Sequence, residues 1–465
     1  MTTTRRLGAA LLAGALVLAA CGGDDDTAEP DGGRDTSGTG DAGAATLRVP
    51  GDHDTIQAAV DAAQPGDLIL IEPGVYEEAV NVTTDELTIR GLDRNEVILD
   101  GGFELDNGIR VTGAAGVAIE NMTARNYTEN GFFWTGVEGY RGSYLTTYRI
   151  GDYGIYAFDS VQGLLEHSYA SGSPDAGFYI GQCFPCDAII DDVVSEHNGL
   201  GYSGTNAGGD LYIVNSTFRF NRAGIVPNSG SYELCYPQRE TTIVGNLVYD
   251  NNQPDTPAIG SALDAMGNGI LAPGGVGNVI ERNRVWDHDL TGIGLVPFPE
   301  EDANDVVPPP ADDDQLCEEA KGEPTADPAD IPDTVLWNPR DNQVVDNVVE
   351  DSGRADIAVG SLEDVSGFGN CFSGNEHTTS APNDLEALAP CEGEGSGGDW
   401  SAGAVDFGPF LAEKPPSGDY QTSPVPDDQE NMPDAEEAPP RPATDVPDFP
   451  DVDAIEVPAR PSDAG

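Results

Sequence analysis

Lysine is almost missing from these 465 residues: only Lys321 and Lys414 occur, and lysine and arginine together number 21 against 82 acids, a formal net charge of −61. A surface so one-signed repels polyanions and itself, and it suits saline surroundings that screen the repulsion. It argues against nucleic acid as a partner, and an anionic polysaccharide is repelled unless cations bridge it. After Ala20 no apolar stretch is long enough to span a bilayer. Helical spacing of apolar residues is absent between residues 107 and 222, which excludes helical repeats. A Leu-x-Leu frame is absent as well, and propeller blades need about 40 residues each.

What is present is a beat. Glycines 108, 131, 154, 177 and 201 step by 23, 23, 23 and 24 residues, and the step of 23 returns at Gly224 and between Gly269 and Gly292. Each is followed by a short apolar run, and a second run in each unit holds a polar residue between apolar ones. Apolar and polar residues alternate over four to six positions, the period of half-buried strands. A fixed step of this size means stacked units that bury their apolar faces only against one another. We therefore expect an all-β, right-handed parallel β-helix, with glycine at a corner of each turn. Asn121, Asn215, Asn246, Asn283 and Asn347 fall at one place in the unit, and an inward amide ladder is expected there.

The chain divides in order. Arg5 and Arg6 precede an apolar run from Leu7 to Ala20 and then Cys21. Residues 1–21 resemble a bacterial lipoprotein signal, which implies cleavage before Cys21, lipidation of that cysteine and an extracytoplasmic protein anchored to a membrane by lipid. Residues 22–45 read as a flexible tether. Residues 46–391 are the expected coil. It opens with a capping helix whose N-cap is Asp54, whose Gln57 reaches back, and whose stripe is Ile56, Ala59, Val60 and Ala63. Leu68–Ile71 reads as a buried strand. Residues 298–338 lose the beat and form a loop insertion. Residues 392–465 are an acidic, proline-rich tail, either disordered or lying along the coil, and a route to a protein partner. The protein is expected to be a monomer.

Thr55-Ile56-Gln57-Ala58-Ala59-Val60-Asp61-Ala62-Ala63, Pro65-Gly66-Asp67 and Glu72-Pro73-Gly74-Val75-Tyr76-Glu77-Glu78 resemble the opening segment of the pectate-lyase-like superfamily. Ser173 to Gln182 is similar to its bacterial parallel β-helix repeat proteins. The resemblance covers about residues 46–375 and implies the right-handed parallel β-helix fold. Activity varies across that superfamily. The Gln-Asp-Thr and Asp-Phe-Ile-Phe-Gly segments of pectin methylesterases, and the Asn-Thr-Asp and Gly-His-Gly segments of polygalacturonases, are not found. Tyr153 to Asp159 lacks the Pro-His of the alginate-epimerase segment it partly matches. Lyases of this fold use arginine or lysine as base, and outside the insertion at 298–338 the coil has no lysine.

Two residues before the glycine stand Asp106, Glu129, Asp152 and Asp175; two after it stand Arg110, Phe133, Tyr156 and Tyr179. On a strand, positions two apart share a face. A column of carboxylates beside a column of rings is thus expected outside, with Ile109, Phe132, Ile155 and Phe178 inside. Stacked carboxylates repel; a shared Ca²⁺ held by Asp106, Glu129, Asp152 and Asp175 or raised pKa values relieve them. Rings beside carboxylates suit sugars, so polysaccharide binding on Phe133, Tyr156 and Tyr179 is the leading expectation. A lyase, epimerase or glycosidase using Glu129, Asp152, Asp175 or His288 is the alternative, and a structural or metalloenzyme-assembly role is the third. A solvated acidic face is the bland reading. With Cys21 assigned to lipid, six cysteines remain, enough for three disulfides: Cys371–Cys391 at the end of the coil, Cys235–Cys317 between excursions, and Cys183–Cys186 across a small loop.

Overall fold

A computed structural model describes residues 44–301, 303, 316–320, 334–405, 412 and 414–462. The signal segment, Cys21 and nearly all of the tether lie outside the described residues. Parallel strands build a 20-stranded and an 11-stranded sheet, and each strand pairs with its counterpart one turn earlier and later. Asn107–Thr112, Asn130–Thr135, Ile155–Phe158, Ala176–Gly181 and Leu200–Thr205 run consecutively in the 11-stranded sheet, with Ile109 beside Phe132, Ile155, Phe178 and Tyr202. All five are fully buried. This is a right-handed parallel β-helix, the hand that parallel crossovers take.

The corners are made differently from the expectation. Asn121, Tyr144, His167, Asp192, Asn215, Gly245, Arg282, Asp346 and Gly374 follow one another in ladder register, and every one has a positive φ, between 48° and 72°. At this corner one left-handed residue in each turn bends the chain from one face of the 20-stranded sheet to the next. Asparagine and aspartate accept this conformation at least cost after glycine. The 23-residue glycines do another job. A Cβ on Gly131 or Gly154 would stand 2.5 or 2.6 Å from the carbonyl of the next glycine, and each also presses on Thr147 of the facing sheet. Glycine is required there because backbone crosses backbone inside the coil.

The amide ladder exists one residue beyond that corner. Ser216 N donates to Asn246 Oδ1, Asn246 to Asn283, Asn283 to Asn347 and Asn347 to Asn375, at 2.9–3.0 Å. Asn375 then donates to Glu386 of the helical turn Leu385–Leu388. Asn121 and Asn215 are not members. They occupy the left-handed position, and Asn215 is exposed. A second ladder, Asn198, Asn221 and Asn251, ends on His288.

The N-terminal lid is the helix Ile56–Ala62, which buries Ile56, Ala59 and Val60. Its cap is Thr55, not Asp54, with Oγ1 accepting from Ala58 N (3.1 Å). Glu78 accepts the N–H groups of Ile56 and Gln57 (both 3.0 Å), a carboxylate at the positive end of the helix. Gln57 reaches forward to Asn81 rather than back. Cys183–Cys186, Cys235–Cys317 and Cys371–Cys391 are all bonded. Within the insertion, Phe298–Glu301 and Thr334–Trp337 form an antiparallel hairpin.

Residues 414–462 lie along the coil as an extended arm. Arginines of the coil hold it by its backbone: Arg222 donates to the carbonyl of Pro416 (2.7 Å), Arg149 to Ser423 (2.8 Å), Arg94 to Glu430 (3.0 Å) and Arg90 to Ala438 (2.6 Å). The arm then returns toward the C-terminal turns, where Arg282 meets Val452 (2.6 Å) and Arg284 meets Pro458 (2.7 Å). A proline-rich chain leaves carbonyls unpaired, and these guanidinium groups satisfy them. Beneath it, Glu120 pairs with both Arg90 and Arg141 at 2.6 Å, out of solvent.

Asn283→Ala is expected to lower the free energy of unfolding by about 1–3 kcal/mol, because it orphans buried donors and acceptors. Asn215→Gly, one residue before the ladder, is expected to stay within about 0.5 kcal/mol. Urea denaturation of the two variants checks this; equal losses would contradict the assignment.

Candidate functional site on the 11-stranded sheet

The carboxylate column forms. Glu129 N donates to Asp106 O (2.9 Å), Asp152 N to Glu129 O (2.8 Å) and Asp175 N to Asp152 O (3.3 Å), so the four acids occupy successive turns. The aromatic column forms too, with Arg110, Phe133, Tyr156 and Tyr179 in register. Phe133 and Tyr156 stack with centroids 4.6 Å apart and planes at 10°; Tyr156 and Tyr179 meet edge-on at 4.9 Å.

Two residues join that the repeat did not single out. Tyr153 stacks on Tyr156 at 4.3 Å and meets Tyr179 edge-on at 4.9 Å. Strict alternation would point it away from Tyr156, three positions on. The alternation slips at Gly154, whose crowded Cβ position faces the interior, so Tyr153 turns outward. Glu233 arrives from an excursion without periodicity, and Tyr179 Oη donates to its Oε1 (2.5 Å). Asn206 Nδ2 holds the Glu233 carbonyl (2.8 Å), Gln182 takes the Leu234 N–H (2.9 Å), and the Cys235–Cys317 bond ties the loop down.

This loop corrects one expectation. Tyr179 is only 1% exposed, so its ring is a wall beneath Glu233 and not an open stacking surface. Phe133 and Tyr156 are half-buried and keep accessible surface.

The acids fall into two groups. Asp106 and Glu129 are exposed, whereas Asp152 and Asp175 are half-buried among the tyrosines. Burial pushes Asp152 up to about 7, with Asp175 and Glu129 adding repulsion. Burial pushes Asp175 up to about 6 against the hydrogen bond from Tyr153. Burial pushes Glu233 up to about 8 against the hydrogen bond from Tyr179, with Asp175 raising it further. Burial also raises the phenols of Tyr153, Tyr156 and Tyr179, which stay protonated donors. Of the two remedies for stacked carboxylates, raised pKa is thus the one these acids adopt. The Ca²⁺ expectation fails the fit: among the described residues no three His, Cys, Asp or Glu side chains are placed to hold a metal ion. The four column acids are strung one per turn along the coil and do not converge.

His288 is corrected as well. It is 2% exposed, burial lowers it to about 3, and its Nε2 lies 3.3 Å from Asn251 Nδ2. It is a neutral member of the interior ladder and cannot reach a substrate.

No protein-family model matches the sequence, and no curated protein matches it. Solved structures of similar fold include the A-module of the mannuronan C-5 epimerase AlgE6 of Azotobacter vinelandii (16% identity, 71% of this chain and 95% of that chain, TM-score 0.46). A rhamnogalacturonan lyase matches at 12% identity over 73% of this chain and 86% of that chain, TM-score 0.44. A family 28 exopolygalacturonase of Yersinia enterocolitica matches at 10% identity over 73% and 78%, TM-score 0.42. These likenesses are of fold.

The raised pKa values have a sign that stability reveals. The folded chain holds these protons more tightly than the unfolded chain, whose carboxyls titrate near about 4. Folded stability contributed by the protonated acids is therefore complete below about pH 4 and is lost as pH rises through about 6–8. Glu233→Gln is expected to raise Tm at about pH 9 and leave it unchanged at about pH 4; a Tm difference independent of pH would contradict the protonated state. The register of the strands, the inward core and the recurring left-handed corners together make this chain a right-handed parallel β-helix.

Proposed function

We propose that this chain engages a polysaccharide on the outer face of the 11-stranded sheet and cleaves it by acid–base chemistry. The observation that carries the reading is one constellation: Phe133 and Tyr153 each stacked on Tyr156, at 4.6 and 4.3 Å, beside three carboxyls held near neutral pKa. Sugar C–H faces lie on such rings while hydroxyls reach oxygens at their edge. A binding surface alone has no need of desolvated acids, which cost folding stability; sites that transfer protons do.

The roles follow from the pKa order. Glu233, the highest, is the proton donor to a leaving oxygen, and Tyr179 orients it. Asp175, the lowest, is the carboxylate that ionises first and, as general base, accepts a proton from the water that bonds to the anomeric carbon as the glycosidic C–O bond breaks. Asp152 lies between and couples to Asp175, so the group titrates as a unit. Phe133 and Tyr156 with Tyr153 position the sugar.

The tests are turnover and binding on a panel of neutral, amino- and uronate polysaccharides. The kcat/KM profile is expected to be bell-shaped, with limbs near the values of Asp175, about 6, and Glu233, about 8. Glu233→Gln is expected to lower kcat by about 100-fold or more with little change in binding. Tyr153→Ala with Tyr156→Ala is expected to weaken binding instead. Folded protein that neither binds nor cleaves any member of the panel would refute the proposal.

A further inference from the structure

Glu233 sits on a loop that the coil alone does not hold. Residues 229–238 form no helix or strand. Beside them Tyr232, 45% exposed, borders a cavity of about 220 Å³ that Val226, Leu271 and Phe298 also line. A loop flanked by a cavity has little packing to place it, so discrete ties do. The coil ties its backbone: Asn206 Nδ2 donates to the carbonyls of Gly230 (2.7 Å) and Glu233 (2.8 Å), and Gln182 Oε1 accepts from Leu234 N–H (2.9 Å).

The insertion ties it from the other side, at Ser231 and at Cys235, which flank Glu233 symmetrically. Glu300 of the hairpin is buried, 7% exposed. Its carboxylate accepts from Ser231 N–H (2.9 Å to Oε2), from Ser231 Oγ (2.8 Å to Oε1) and from Trp337 Nε1 of the paired strand (2.8 Å to Oε2). Cys235 is bonded to Cys317, whose N–H donates to the Phe184 carbonyl (2.9 Å). The Trp337 ring packs on Tyr236 with centroids 5.7 Å apart. The hairpin has a firm base, because Phe298–Glu301 follows directly on Thr291–Val296 of the 11-stranded sheet. The acid–base scheme has no use for Glu300, and its charge is not what reaches Glu233. The titratable groups coupled to Glu233 among the described residues are Asp175, Tyr153, Tyr156, Tyr179 and Tyr232.

We infer that Glu300 is a positioning residue for Glu233: it fixes Ser231 from the insertion and, with the Cys235–Cys317 bond, clasps the loop so that the proton donor stays seated on Tyr179. This rests on the reading of Glu233 as proton donor and adds the element that places it. Without the Glu300 carboxylate, Ser231 N–H, Ser231 Oγ–H and Trp337 Nε1–H are left as buried donors, which are costly when unpaired. Opening the loop at Ser231 lets water satisfy them, and Glu233, two positions on, moves with it. Water around Glu233 relieves the burial that keeps its proton on, so the donor ionises at a lower pH. The disulfide limits the same movement from the far side of Glu233. The insertion, which breaks the repeat, is thereby the part of the chain that completes the site.

Two measurements decide it, and one needs no substrate. Glu233→Gln alone is expected to raise Tm at about pH 9 and not at about pH 4; in the Glu300→Ala background that pH-dependent gain is expected to vanish. On a cleaved polysaccharide, Glu300→Ala is expected to lower kcat by about 10–100-fold with little change in KM. The alkaline limb of its kcat/KM profile is expected to move to lower pH. Glu300→Gln keeps one acceptor for Ser231 and is expected to fall between. Glu301→Ala removes an exposed acid from the same strand and is expected to match the parent protein in both measurements. Should Glu300→Ala not fold, Ser231→Ala, which removes the hydroxyl alone, is read in the same way with smaller shifts. A Glu300→Ala protein with a lower Tm that retains both the Glu233 gain and the alkaline limb makes Glu300 structural only; that overturns the inference and leaves the acid–base reading standing. If the folded parent protein cleaves nothing, the acid–base reading falls, and the Tm comparison still decides the seating: loss of the gain upholds it and retention overturns it.

Discussion

The lateral hydrogen bond between one turn and the next is the interaction on which the rest depends. Every strand of the coil uses its backbone groups on its neighbours above and below, so any residue type that recurs at the repeat becomes a column of contacts roughly 4.8 Å apart. In the interior this yields the asparagine ladders, whose side-chain amides continue the backbone ladder around the bend. Outside it yields rings stacked on rings and acids above acids. A column of acids is unstable by itself, and the protein resolves it in two ways: two members lie in solvent, and two are pressed among tyrosines where they retain protons near neutral pH.

The arginines show the same economy. In a chain of 82 acids, Arg90, Arg94, Arg149, Arg222, Arg282 and Arg284 are directed to main-chain carbonyls of the C-terminal arm. Carbonyl contacts do not depend on the arm's side chains, so an acidic, proline-rich segment docks without the charge pairing its composition would invite. The consequence for the outer face of the 11-stranded sheet is that basic side chains are spent elsewhere and the acidic site is left unneutralised.

Much of this was legible in the sequence because the coil converts sequence phase into position. The step of 23 placed Asp152 under Asp175 and Phe133 beside Tyr156, and the three disulfides were legible as one closing the end of the coil, one joining two excursions and one across a small loop. What escaped it has physical causes. Tyr153 was hidden because alternation slips where the glycine column crosses the facing sheet. Glu233 was hidden because a loop without period carries it 54 positions from its partner Tyr179. The same loop buries Tyr179, a fact of packing that register cannot report. Asn121 and Asn215 were placed in the amide ladder because the left-handed corner next to it also favours asparagine. His288 stood among the candidate acid–base residues, yet it takes the ladder position after Asn251. That the tail lies along the coil was one of the two readings its composition allowed, but the places where it docks left no trace, since extended proline-rich chain has no period to read.

The most direct test of the account is a crystal structure of the protein with a bound sugar oligomer. It predicts a sugar ring packed against Tyr153 and Tyr156, with a sugar oxygen accepting a hydrogen bond from the protonated carboxyl of Glu233. An oligomer bound at any other surface, with Tyr153 and Tyr156 bare and Glu233 Oε2 still unpaired, would contradict it.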